Sequence, residues 1–156
     1  IGSYEDGFFN LEVFGKADRV VYLAAYLYHY RRDGSSSVTS GYNPRLYDQW
    51  QTLYDRMEAI IQSNQLGSEY EAALNNRIAL GILGLGLNIT VSTQSMGKKV
   101  KDIHRIIRQE RYRKAYKNLP LNYFPIHWKL FYGCARHGFA FGVYVLLTVI
   151  QRIISR

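Results

Sequence analysis

Residues 79–91 read ALGILGLGLNITV, and the reading of this stretch decides the fold. Apart from one asparagine and one threonine it is apolar, and it carries glycine at 81, 84 and 86. Its length and flanks make it the second half of a helix from about Glu69 to Ser92, capped by Ser68. Inside a helix each glycine costs about 1 kcal/mol relative to alanine. The pattern therefore predicts a compensation, and close helix–helix contact at the glycines is the one it points to.

The same helical periodicity continues on both sides. Upstream, Asn43 caps a helix from about Pro44, a favoured first helical position, to about Asn64. It places Leu46, Trp50, Leu53, Met57 and Ile60 or Ile61 on one face, and Gly67 stops the chain before the next helix. Downstream, a third helix is predicted from about Met96 to Lys117, with Val100, Ile103, Ile106 and Ile107 as an apolar stripe that Tyr112 and Tyr116 extend. LPLNYFP at 119–125 breaks it, and a last helix is predicted from about Ile126 to the end. There is no internal repeat and no low-complexity tract.

The first forty residues read differently. Ser3 to about Lys16 is predicted as a helix, with Ser3 and Asp6 at capping-box spacing. Phe8, Phe9, Leu11, Val13 and Phe14 are more apolar residues than one stripe needs, so this helix is expected to be largely buried. RVVYLAAYLYHYRR at 19–32 is rich in Val and Tyr and predicts two short strands around Ala24-Ala25. DGSSSVTSGYNP at 33–44 is a loop of turn formers. The expected fold class is mainly α, a helical region with two short strands near its start.

Bulk numbers bound the rest. At 156 residues and 47% apolar the chain is expected to be one globular domain. Cys134 is the lone cysteine, which excludes an internal disulfide and fits a reducing compartment. The sequence opens on no recognisable signal peptide. Net charge is +8, split unevenly: 7 Lys+Arg against 10 Asp+Glu up to Gly97, then 13 against 2 from Lys98 onward. The basic half predicts an anionic partner: phospholipid, nucleic acid or a polyanionic substrate.

Chemistry-bearing residues concentrate between Tyr4 and Ser37. Glu5 and Asp6 open a helix, where an acid is ordinarily a cap held ionised by the helix dipole. His29, Arg31 and Arg32 stand just before a Gly-Ser loop carrying Ser35 to Ser37. Taken singly, such a histidine is ordinarily packed and such arginines ordinarily solvated.

In their order, however, YED, GFFN, LEVF, VVYL and LYHYRRDGSSS resemble the end of the catalytic domain of bacterial family 2 glycosyltransferases, the inverting GT-A type. In that family a Glu-Asp pair opens a helix followed by Phe-Asn, as Glu5-Asp6 and Phe9-Asn10 do here. The resemblance covers residues 4 to 37, and it departs at Ala25, where many relatives place proline. It implies that residues 1–42 end a catalytic domain and residues 43–156 form a helical tail. It implies Asp6 as general base, with Glu5 orienting it or holding an acceptor hydroxyl. His29 would touch a divalent Mg or Mn ion or the diphosphate, Arg31 or Arg32 would clamp the diphosphate, and Ser35 and Ser36 would add donors. The implied substrates are a nucleotide-sugar donor and a glycan or lipid-linked acceptor, in polysaccharide synthesis. No Asp-x-Asp metal motif and no strand–helix alternation appears, so the expectation is a C-terminal piece, inactive alone, whose nucleotide-binding half is absent.

The basic tail leaves two readings open. GKKVKDIHRIIRQERYRKAYKNL holds 9 Lys+Arg against 2 acids between Lys98 and Lys117. FAFGVYVLLTVI, from Phe139 to Ile150, is uncharged but short of the about 20 residues a span needs. One reading is a core helix with a solvated basic face beside it. The other is interfacial binding to anionic membrane, with Trp128, Tyr132 and Phe139 near the headgroups, on the cytoplasmic side of the cell membrane. The non-enzymatic alternative is a helical module binding membrane or nucleic acid through the basic helix, or assembling as a homo-oligomer. Against nucleic acid, no zinc spacing, no RNP-like motif and no clear helix-turn-helix is present.

Overall fold

The structure, a computed structural model, describes residues 5–27 and 41–154, with only the backbone at positions 5, 6, 8 and 154. Among the described residues seven α-helices follow one another: α1 Glu5–Lys16, α2 Leu46–Ser63, α3 Ser68–Thr90, α4 Met96–Ile107, α5 Glu110–Asn118, α6 Ile126–Arg136 and α7 Ala140–Ile154. A 3-10 turn, Leu121–Tyr123, precedes α6. The fold is mainly α.

The glycine-rich helix is the axis of the bundle. α3 packs against α2, α4, α5 and α7, and its Ile78, Ala79, Ile82, Leu85 and Ile89 are buried. The expected compensation at its glycines is present. A Cβ at Gly81 would collide with the Tyr54 hydroxyl, and one at Gly84 would stand 2.8 Å from Trp50 Cη2. A Cβ at Gly86 would run into Leu147 of α7. Each missing methyl group is thus space occupied by a neighbouring helix. By length and composition alone α3 could cross a bilayer, but four helices surround it and its apolar residues form the core.

The stripe expected on α2 is the one buried: Leu53, Met57 and Ile61, together with Tyr54, while Leu46 and Trp50 are half-buried. Ile103, Ile106 and Ile107 of α4 and Tyr112 and Tyr116 of α5 also enter the core as expected.

Four expectations are corrected. The helix predicted from Met96 to Lys117 is two helices, broken at Arg108 and Gln109. No glycine or proline marks that break. Gln109 has extended backbone and accepts a hydrogen bond from the Tyr47 hydroxyl, while the Arg108 side chain lies against Gly138. The helix predicted from Ile126 to the end is also two. Gly138 takes φ +75°, Phe139 N–H donates to Cys134 O at 2.8 Å and Gly138 N–H to Ala135 O at 3.0 Å, a Schellman turn ending α6. α1 is not buried along its length: Phe9, Val13 and Phe14 are all exposed. Finally, no strand occurs among the described residues. Residues 19–27 run as exposed irregular chain, with Tyr26 98% exposed. Val- and Tyr-rich chain forms strand only against a paired, half-covered surface, and the described residues offer it none; positions 28–32 lie outside them.

Candidate functional site

The acid pair occupies the first turn of α1, Glu5–Lys16. The Glu5 and Asp6 side chains lie outside the described residues, as do His29, Arg31, Arg32, Ser35 and Ser36 entirely. What surrounds the first turn of α1 is visible at Gly7. A Cβ there would sit 2.8 Å from Arg77 Nη2 and 3.6 Å from Met57 Cε. The turn that bears the acids therefore rests on a guanidinium from α3 and a thioether from α2. Sequence reasoning passed over Arg77. The available signal was its isolation, since it is the one Lys or Arg in α3.

Among the described residues, clefts open between the helices, and two of them carry polar walls. The first, of about 330 Å³, lies between the start of α2, α3 and α4, and Tyr42, Asn88 and Arg105 are among its walls. Its polar groups mostly serve one another. Asn43 N–H donates to Asn88 Oδ1 at 2.8 Å, and Asn88 Nδ2 donates back to Asn43 O at 2.9 Å. Asn43 Oδ1 accepts from Arg45 N–H at 3.0 Å, so the residue expected to cap α2 instead shapes the turn before it. Tyr47 is bonded to Gln109, and Asp102 lies 3.7 Å from Arg105. Burial pushes the Tyr47 phenol up, against its bond to Gln109.

The second cleft, of about 550 Å³, lies between α2, α3 and α5 and is lined by Glu58, Glu71, Glu110, Arg111 and Lys114 above apolar Leu74 and Ile78. Arg111 crosses from α5 to α2, where it pairs with Asp55, stands 3.4 Å from Glu58 and donates to Gln51 Oε1 at 3.1 Å. Burial works against its charge, but the bonds to Asp55 and Glu58 outweigh it and raise its pKa. This is bridging chemistry, tying α5 to α2.

No group of three or more His, Cys, Asp or Glu that could hold a metal ion occurs among the described residues, so the divalent ion implied by the resemblance has no donor set there. Cys134 is a half-buried thiol whose pKa burial raises, the opposite of an activated nucleophile.

The basic surface is partly structural. Lys99 Nζ donates to Thr90 O at 2.8 Å and Arg136 Nη2 to Lys117 O at 2.6 Å, closing the C-terminal ends of α3 and α5. Lys98, Lys101, Arg105 and Arg108 are exposed along α4 and its end. Of the three aromatic residues expected near headgroups, only Phe139 is exposed. Tyr132 is buried and Trp128 half-buried, stacked on Tyr132 with ring centroids 6.0 Å apart.

Comparison with protein-family models, with curated proteins and with solved structures finds no match for this chain.

Proposed function

We propose that the chain is the C-terminal part of an inverting, GT-A-type family 2 glycosyltransferase. The observation that carries the reading is the acid pair Glu5-Asp6 at the N-terminus of α1, followed in order by Phe9-Asn10, VVYL and LYHYRR. The acceptor hydroxyl oxygen attacks the anomeric carbon of the donor sugar as the bond to the nucleoside diphosphate breaks. The hydroxyl proton passes to the Asp6 carboxylate, and the diphosphate leaves with the bonding electrons. Arg31 or Arg32 takes the charge that develops on the leaving phosphate, and His29, Ser35 and Ser36 add contacts to it. A helix N-terminus favours the ionised carboxylate that a base must be, and the Arg77 guanidinium lies beside Gly7 in the same turn.

A second feature agrees with this reading. Residues 20–27 present Val20, Val21, Tyr22, Leu23, Tyr26 and Leu27 to solvent. On this reading the nucleotide-binding half covers that exposed apolar chain.

The reading requires a nucleotide-binding half with an Asp-x-Asp motif upstream of Ile1. With that half in place, calorimetry using uridine and guanosine diphosphates as probes tests the cationic side of the site. His29→Ala, and one of Arg31→Ala and Arg32→Ala, should weaken binding by about tenfold or more. Unchanged affinity in all three variants would remove these residues from the site.

A further inference from the structure

The helical hairpin α6–α7 has an outer face of unusual composition. α7 buries Ala140, Val143 and Leu147 against the bundle. On its other side Phe141, Val145, Val149 and Ile153 recur at every fourth position, which on an α-helix is one continuous stripe. All four are exposed, from 42% at Val145 to 69% at Ile153. The stripe does not end with the helix. The Phe139 ring lies 6.4 Å from that of Phe141, and Leu130 of α6 is exposed as well. A soluble helix of this length would carry polar residues on that side, yet Arg152 is the one charged residue of α7.

Charge says what covers this face. From Arg111 to Arg156 the chain holds eight Lys or Arg and no Asp or Glu. Lys129, Arg136 and Arg152 flank the stripe in sequence on α6 and α7. An apolar patch meant for a second copy of the chain would bring these cations against their own kind. An apolar patch flanked in sequence by cations alone complements a surface that is apolar inside and anionic at its rim. The uncharged run from Phe139 to Ile150 is bounded by Arg152 and is 12 residues long, about 18 Å at 1.5 Å per residue, short of the about 30 Å hydrocarbon core. It therefore fits lying in the interface rather than crossing it.

We infer that the α6–α7 hairpin is an interfacial membrane anchor, which sets Phe139, Phe141, Val145, Val149 and Ile153 among the acyl chains of an anionic bilayer with Lys129, Arg136 and Arg152 at the phosphates. The inference moves the lipid contact away from the basic helix α4, and it stands whether or not the chain serves a glycosyltransferase.

Flotation of the full chain with phosphatidylcholine vesicles containing roughly a third phosphatidylglycerol tests it. Native protein should float with these vesicles, less with pure phosphatidylcholine, and less again as salt rises. Val145→Ser with Val149→Ser should lower partitioning by about tenfold or more while circular dichroism and melting stay native, because both side chains already face outward. Lys98→Gln with Lys101→Gln on α4 should lower it by less than about threefold. Native protein that fails to float, or a serine pair that floats like native, overturns the inference. So does a dimer without lipid that the same serines dissociate, which would assign the face to a second copy.

Discussion

The hydroxyl of Tyr54 rests against the bare backbone of Gly81, in space that a methyl group would need. Two buried elements meet there, a core tyrosine of α2 and the axis helix α3. The contact turns an unfavourable helix residue into a requirement.

Gly81→Ala should therefore destabilise the protein, against the helix scale. Alanine regains about 1 kcal/mol of propensity, but the collision with a buried, rigid phenol costs about 1–3 kcal/mol. Gly133, inside α6, is the control: nothing stands within 4 Å of its missing Cβ. Gly133→Ala should gain up to about 1 kcal/mol. Urea titrations of the two variants should shift in opposite directions, and parallel shifts would refute the packing argument.

The tyrosine core predicts alkaline unfolding. Burial pushes the Tyr54 and Tyr132 phenols up to about 12, and raises Tyr112 and Tyr116 as well. Below pH about 10 folded and unfolded chains both keep these protons, so stability is fully present. Above it the unfolded chain loses them first, and stability falls as pH rises toward 12. The slope is about 1.4 kcal/mol per pH unit for each tyrosine involved. The tyrosinate absorbance of these four buried phenols should thus appear in one cooperative step with loss of helix. Titration of these four near pH 10, helix intact, would contradict the burial.

Arg111→Met should cost about 1 kcal/mol. The guanidinium holds Asp55, Glu58 and Gln51 of α2, but its side chain is 27% exposed and its acidic partners more so. Solvent therefore screens most of the Coulomb gain. The loss should shrink in high salt, and a salt-independent loss would assign it to packing of the stem.

How legible this was in the sequence depended on what made each feature. α2 and α3 were readable because Pro44 and Gly67 punctuate them and their periodicity is local. The turn at Gly138 had its signal, a glycine after Arg136 and His137, but the apolar run behind it reads as a continuing helix. The break at Gln109 had no signal, because Tyr47, distant in sequence, holds it. The exposure of α1 was misread for a general reason: apolar count shows that a helix needs a partner, not that the partner is within the chain described. In the candidate site the acids rest on their order in the sequence alone, whereas Arg77 reaches their turn only through the packing of α1 on α2 and α3.

The most direct test of the glycosyltransferase reading is sugar transfer by the enzyme, nucleotide-binding half included, carrying Asp6→Asn. The substitution keeps the shape of residue 6 but removes the base. Transfer should fall by about a hundredfold or more, the share a positioned base supplies, while donor affinity stays within about twofold. Transfer within about tenfold of native would contradict the reading and leave Asp6 as the cap of a helix.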